Sequence, residues 1–381
     1  MANFEAIFLN CLQIMRFLTS WKFLYIITLA AILAVFTTIS MLDLGIGMVF
    51  SWQKKTRKKT EIFRQKSQFC SQFWEAHKIF LIIFSIIFFC NFQNSFEILN
   101  FVLNPLILGL IFTLILREIL QFLRKKIQNE KFHILTDFFI TESCLLTTLI
   151  FGAILGEIFI GLPFYIGKKS VIFSFFELND LANIKILTIS AILAISALSI
   201  GATYINFRTK SMKIFSILVN FALLTIFVIA IPPLFSTNCE WIHSFFKPSL
   251  IYIIPGILQI SAILAIFFNR TRLALIIEIF SILTLNLIFF SAIFPYILPS
   301  CIETMQSTSI FNSQNIIKNP LIWLALLSSV IFFAIEFCNK IFSMKNFSIR
   351  PIFSNILLTI FAILLMFLTI HNIFINFTLF F

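Results

Sequence analysis

The sequence contains few charged residues, which make up only 12% of its 381 residues, whereas 60% are hydrophobic. A soluble domain is roughly half apolar and about a quarter charged. A helix needs about 20 apolar residues to cross a bilayer, and the chain offers many stretches of that length. The composition therefore excludes a soluble globular domain and predicts an all-α polytopic membrane protein.

Histidine is also scarce, and cysteine is scattered. The four histidines form no HxxxH or HExxH pair, and the seven cysteines form no CxxC pair. These absences exclude the patterns of a zinc ribbon or a redox dithiol, so we expect no metal site in this chain. Cys239 and Cys301 fall in two loops that lie on the same side of the membrane in the topology below. The sequence allows either a disulfide between them or two free thiols.

Acidic residues are few as well, 16 against 28 lysines and arginines, which gives a net charge of +12. Such an excess can indicate nucleic-acid binding, but here the basic residues lie in short loops between apolar segments. We therefore expect no nucleic-acid partner. We divide the chain into a membrane domain, 1–350, and an additional C-terminal segment, 351–381. Nine to ten transmembrane helices are predicted, at 22–48, 77–97, 99–121, 139–162, 183–206, 212–235, 250–268, 273–298, 320–342 and 352–380.

The basic residues also predict an orientation. All but seven of the 28 lysines and arginines fall on the face that carries the loops after the odd-numbered segments. Loops rich in lysine and arginine stay in the cytoplasm, so the N-terminus is predicted to lie outside. The cytoplasmic loops predicted on this basis are 51–73, 124–131, 207–213, 269–272 and 340–350.

Two carboxylates in the first helical hairpin are candidates for function. A charged residue inside a membrane helix costs about 2.5–3.5 kcal/mol on insertion scales and usually marks a pathway or a bundle interior. Asp43 lies seven residues before Phe50, about 10 Å inside the first predicted helix, and Glu75 begins the second. Two neighbouring buried carboxyl groups can hold a proton near neutral pH. A purely structural role, in which Asp43 bonds to a neighbouring helix, is equally open.

Other intramembrane groups support close packing of the helices. Gly45 and Gly47 remove side-chain bulk beside Asp43, so another helix or a ligand can approach closely. Arg117 and Arg124 are seven residues apart and share one helix face, so we expect an anionic partner there. Further acidic candidates inside the predicted segments are Glu118, Glu157 and Glu278. Glu97 sits at a turn, and Glu142 and Glu336 lie near segment ends where they can reach the lipid headgroups.

Six short motifs follow one another along residues 25–342. They are LDLGIGM (42–48), WEAHKIFL (74–81), LREILQFLR (116–124), GAILGEIFIGLP (152–163), GATYINFRT (201–209) and FPYILPS (294–300). Each is weak alone, but their order and spacing resemble subunit II of the cytochrome bd-type quinol oxidases. The residues that carry the resemblance as a structural motif are Gly45, Gly47, Trp74, Arg117, Arg124, Gly161, Pro163, Gly201, Arg208, Pro295 and Pro299.

The resemblance implies a fold of two four-helix bundles plus a peripheral helix, with the C-terminal segment as an addition. It implies a partner, subunit I, which carries the haems and the quinol site, and it implies no haem in this chain. The complex would oxidise quinol and reduce oxygen to water in the bacterial cytoplasmic membrane. A small accessory subunit, membrane lipids and quinone are further implied partners.

The resemblance also implies roles for particular residues. Asp43 and Glu75, which follows Trp74, match the acidic positions that supply protons from the cytoplasm. His77 departs from the resemblance, which has asparagine there, and we expect it to serve as a substitute relay. Two alternatives remain. The chain could be a multispan permease or flippase without a redox role, which ten segments and buried carboxylates would also fit. It could also be a degenerate scaffold that only shields its partner from lipid.

Overall fold

A computed structural model of the chain describes residues 21–49, 85, 88–89, 92–127, 130–166, 172–174, 176–210, 212–235, 253–293, 296–302 and 307–309. It divides into two compact units. The larger unit is 36–316. The smaller unit consists of 1–35 and 317–381, and residues 21–35 are the described part of this smaller unit. The predicted segments at 320–342 and 352–380 lie outside the described residues.

Helices account for most of the described chain, which confirms the predicted fold class. Five of the described helices are long and apolar enough to cross a membrane, and two further apolar helices are shorter. The helices are α1 Trp21–Val49, α2 Gln93–Val102, α3 Asn104–Lys126, α4 Glu130–Ile160, α5 Ile184–Thr209, α6 Lys213–Phe235, α7 Ile253–Phe267 and α8 Thr271–Ile293.

Local sequence explains where several helices begin and end. Pro105 occupies the first turn of α3, where its missing N–H is not needed. The side chain of Asn183 caps α5 by accepting a hydrogen bond from the Lys185 backbone N–H. Gly161 ends α4 with φ 108°, a left-handed conformation that suits glycine.

Helices α5, α6, α7 and α8 pack in a closed ring, each against the next and α8 back against α5. Helices α3 and α4 pack against each other, and α4 also packs against α5. The second half of α1 is buried from Phe36 to Val49. Helices α3, α5 and α7 end, and α4, α6 and α8 begin, on the side that carries the basic residues 124–126, 208–213 and 270–272. We call this the basic side.

Two small antiparallel sheets lie at the opposite ends of these helices. They pair β1 Phe164–Ile166 with β2 Ile172–Ser174, and β3 Tyr296–Leu298 with β4 Thr308–Ser309. A short 3₁₀ helix, Leu178–Ala182, leads into α5. The predicted segment 273–298 was therefore too long at its C-terminal end, because α8 stops at Ile293 and 296–298 is a strand. The predicted segment contains Pro295, whose missing N–H is unfavourable for a continuing helix.

Candidate functional site

A buried ion pair joins α1 to α3. Nη2 of Arg117 donates to Oδ2 of Asp43 at 2.6 Å, and both side chains are completely buried. Asp43 lies six residues before the end of α1, and Arg117 lies nine before the end of α3. Both groups are therefore within roughly 9–14 Å of the basic side, measured at 1.5 Å per residue. Such a charge-assisted bond is strong, and removing one partner leaves an uncompensated charge.

A second ion pair lies two helical turns nearer the basic side. Arg124 contacts Asp137 of α4 through Nε and Oδ1, and its Nη2 lies 3.3 Å from Oδ2. The Asp137 side chain is 21% exposed, whereas Asp43 is fully enclosed. One face of α3 thus carries two ion pairs, one partly open to solvent and one deep inside. Asp43 and Asp137 are thus the anionic partners that we expected for the two arginines.

Asp137 is a site residue that sequence analysis missed. The predicted segment began at 139, but α4 begins at Glu130 and is continuous through Asp137. The polar residues 130–137 lowered the local hydropathy and so concealed this first part of the helix. Asp137 could have been found from two features of the sequence. It is four residues after His133, the spacing of one helix face, and only residues 127–129 separate this helix from the one that carries Arg124.

The glycines beside Asp43 let two other helices approach α1. A Cβ atom added to Gly45 would lie 1.8 Å from the backbone oxygen of Ala197 on α5. One added to Gly201 would lie 2.2 Å from the carbonyl carbon of Gly45. The backbones of α1 and α5 are therefore in direct contact at this point. Gly45 and Gly201, which sequence analysis assigned to separate motifs, form one helix crossing.

Gly47 makes the corresponding contact with α4. A Cβ atom there would lie 2.3 Å from Sγ of Cys144, and the Thr141 hydroxyl donates to the Gly47 carbonyl at 3.3 Å. Asp43 is thus enclosed by α3 on one side and by α4 and α5 on others. This packing holds the carboxylate in a fixed position.

Two further motifs meet at the opposite end of the helices. Leu162 forms a parallel bridge with Ser300, and its N–H donates to the Pro299 carbonyl at 2.8 Å. The Ser300 hydroxyl donates to the Phe164 carbonyl at 2.8 Å. Gly161 and Pro163 therefore turn the chain into this junction, which explains why the motifs contain glycine and proline. Pro295 itself lies outside the described residues.

The remaining predicted site residues are distributed as follows. Arg208 is near the end of α5, where Nε donates to the Tyr204 hydroxyl at 3.3 Å and the guanidinium lies 5.6 Å from the Phe207 ring centroid. Trp74, Glu75 and His77 lie outside the described residues, so their relation to Asp43 stays a prediction. Cys239 does too, and its pairing with Cys301 stays open.

The described residues contain no group of three or more histidine, cysteine, aspartate or glutamate side chains that could hold a metal ion. They do contain an apolar cavity of about 120 Å³ among α1, α4, α5, α6, α7 and α8. Its lining includes Met41, Phe159, Phe227 and Phe289. No charged residue contributes to the lining, so the cavity suits an apolar chain rather than an ion.

The fold and the site define a polytopic helical membrane protein with ion pairs buried between its helices. Residues 21–342 match the sequence profile of the family described as cytochrome bd terminal oxidase subunit II. The chain belongs to this family, and it is accordingly a subunit of a bd-type terminal oxidase. This result favours the oxidase interpretation over a permease or flippase.

A solved structure has the same fold. It is described as the structure of bd oxidase from Geobacillus thermodenitrificans, with a TM-score of 0.64 and 13% sequence identity. The match covers 83% of this chain and 94% of that chain. No curated protein matches the sequence significantly.

Proposed function

We propose that the chain is the haem-free subunit II of a quinol:oxygen oxidoreductase and pairs with a haem-bearing subunit I. The family match supports this assignment. In the complex, the partner carries the haems and the quinol site, and the reduction of oxygen to water takes place there. The haem would supply electron transfer and oxygen chemistry. This chain would position the partner in the membrane and deliver protons.

The observation that carries the proton-delivery role is the burial of Asp43 in its pair with Arg117. A carboxylate enclosed in a membrane protein is costly and usually functional. It lies on the basic side, from which the loops predict access to the cytoplasm. The second pair, with the partly exposed Asp137, lies between it and that surface. Glu75 and His77 complete the proposed proton path as its uptake groups.

The competing function for the same geometry is a scaffold, in which the pair only holds α1 to α3. Oxygen consumption per haem separates the two, because a purely structural residue changes only the amount of complex, whereas a proton-path residue also lowers the turnover of the complex that assembles. Membrane lipids and quinone are proposed partners of the apolar cavity. A small accessory subunit is a further proposed partner, which purification of the native complex would identify.

The proposed location is the bacterial inner membrane, with the N-terminus outside. A single cysteine introduced at position 58, in the predicted loop 51–73, should resist a membrane-impermeant maleimide in intact cells and react after permeabilisation. The reason is that its basic surroundings stay cytoplasmic. A matched cysteine at position 168, next to Lys169 in a predicted outer loop, should react without permeabilisation. Labelling in the reverse pattern would contradict the orientation.

The haem-free assignment predicts a colourless chain. Expressed without its partner, the protein should show no haem absorption in reduced-minus-oxidised spectra, whereas the purified complex should show it. The reason is that the haem ligands are expected on subunit I. Stoichiometric haem retained by this chain alone would contradict the proposal.

A further inference from the structure

A cluster of polar side chains lies inside the ring formed by α5, α6, α7 and α8. Each of these helices contributes at least one group, and none of the five side chains is more than 2% exposed. We call it the α5–α8 polar cluster, and it consists of Thr203 on α5, Ser216 and Asn220 on α6, Gln259 on α7 and Glu278 on α8. It is separate from the ion pairs on α3, and the proposed proton path does not use it.

The bonds between side chains of the cluster lead toward its single carboxyl group, while Nδ2 of Asn220 also donates to the Ser216 backbone carbonyl at 2.8 Å. The Thr203 hydroxyl donates to Oε1 of Glu278 at 2.6 Å, which uses the only hydrogen that this hydroxyl has. The Ser216 hydroxyl, 2.8 Å from the Thr203 oxygen, must therefore be the donor in that bond. Nδ2 of Asn220 also donates to Thr203, at 3.3 Å, and Nε2 of Gln259 donates to Oδ1 of Asn220 at 2.5 Å.

Oε2 of Glu278 is buried and takes no part in these bonds. The Ser199 hydroxyl lies one helical turn before Thr203 and beside the same carboxyl group, where it can share a hydrogen with it. A buried polar atom without a partner costs free energy, and a buried charge costs more. The buried carboxylate therefore either pairs with a cation or takes up a proton.

No cation of the described part of the chain serves that purpose. The charged side chains nearest to Glu278 along its neighbouring helices are Arg208 on α5, Lys213 on α6 and Arg272 on α8, and the sequence of α7 contains no titratable residue. None of the three forms an ion pair with Glu278. Lys213 instead donates to the Phe267 carbonyl and to Oδ1 of Asn269, at 2.8 Å each.

The number of available oxygens decides between a metal ion and a proton. Hard cations such as Ca²⁺ take about six to eight oxygen ligands, and Mg²⁺ takes six. The oxygens of Thr203 and Asn220 already accept hydrogen bonds. A metal ion would therefore find few oxygens left for coordination, whereas a proton needs only one oxygen of the Glu278 carboxyl group.

We propose that Glu278 is a second proton-binding site of this chain, exchanging with water on the basic side. Glu278 lies seven residues from the start of α8 and Ser216 three from the start of α6, which is roughly 10 Å and 5 Å from that side. The hydroxyls of Ser216 and Thr203 can both donate and accept, so they form a relay. As a proton adds to the Ser216 oxygen, Ser216 passes its own hydrogen to Thr203 and Thr203 passes its own to Glu278, so each hydroxyl breaks one O–H bond and forms another and the carboxylate becomes the neutral acid.

Infrared difference spectroscopy on the purified complex tests this proposal. Spectra recorded across mildly acidic to mildly alkaline pH should contain a C=O stretching band of a protonated carboxyl group that Glu278→Gln removes. Thr203→Val should keep the band but shift its frequency, because it removes the hydrogen bond to Oε1 and leaves the carboxyl in place. Glu177→Gln, an exposed carboxylate outside the cluster, serves as the control and should leave the band unchanged.

Three results would overturn the proposal. The first is a spectrum of Glu278→Gln identical to that of the unmodified complex at every pH. The second is a band that Thr203→Val does not shift, because it would belong to another carboxyl group. The third is a band that sodium chloride alters at constant pH and constant ionic strength, because that would indicate a metal ion. If Glu278→Gln does not assemble, Thr203→Val in the otherwise unmodified complex still decides.

Discussion

Asp43→Asn should sharply reduce the amount of assembled oxidase, and the double variant Asp43→Asn/Arg117→Gln should restore it. The single substitution leaves the Arg117 guanidinium, which keeps its proton in proteins, buried without its negative partner. Breaking a buried ion pair in this way costs about 3–5 kcal/mol. The double variant leaves no uncompensated charge, and its two amides can hydrogen-bond to each other, so most of this cost should be recovered. Haem content per milligram of membrane protein measures the amount of complex in each case.

The double variant then separates the two interpretations of Asp43. If Asp43 transfers protons, the restored complex should consume oxygen at least ten times more slowly per haem, since a positioned proton-transfer group is typically worth about 10²–10⁴ in rate. If the pair is only structural, turnover per haem should be normal once assembly is restored. Normal turnover in the double variant would therefore contradict the proton path and support the scaffold.

The second ion pair provides a matched control for these variants. Arg124→Gln/Asp137→Asn removes a pair of the same composition on the same face of α3, but at a partly exposed position. The Arg124 side chain is 5% exposed and the Asp137 side chain 21%, so we expect a smaller loss of assembled complex than for the fully buried pair. A loss as large as that of Asp43→Asn would show that the assay reports any charge change on α3 rather than burial.

The bounds of the helices could be predicted where they depend on local hydropathy, but not where they depend on contacts with another helix. Helices α5, α6 and α7 lie within three residues of the predicted segments, because each is a long apolar stretch between polar or charged residues. The start of α4 was placed nine residues late. Hydropathy treats Asp137 as a loop residue, whereas in the fold its charge is balanced by Arg124. Local composition cannot include a partner that comes from another helix.

The candidate site depends on contacts that are still more distant along the chain. Asp43 and Arg117 are 74 residues apart, and each was recognisable alone as a buried charge. Their pairing required the helix packing, which follows from the small residues Gly45, Gly47 and Gly201. The α5–α8 polar cluster is another such case, since Glu278 was a candidate from its position, whereas its four neutral partners come from three other helices and were not predicted to meet it.

Gly45→Ala should prevent α1 and α5 from packing as they do and should lower the amount of assembled complex about ten-fold or more. The added Cβ would lie 1.8 Å from the backbone oxygen of Ala197 and 2.7 Å from its carbon. A backbone carbonyl cannot rotate away as a side chain can, so the helices themselves must separate. Ordinary overpacking of a core costs about 1–3 kcal/mol, and we expect this clash to reach or exceed the upper value.

Gly256→Ala is the control for that variant, because it makes the same chemical change inside α7, where no atom lies within 4 Å of the added Cβ. Alanine is the better helix former by about 1 kcal/mol, so its complex should be at least as abundant as the unmodified one. The residual Gly45→Ala complex should keep normal turnover per haem if its Asp43 still lies in place. Equal yields of the two variants would contradict a direct backbone contact between α1 and α5. A low yield for Gly45→Ala alone would establish that the glycine beside Asp43 is required by helix packing, independently of any proton that Asp43 transfers.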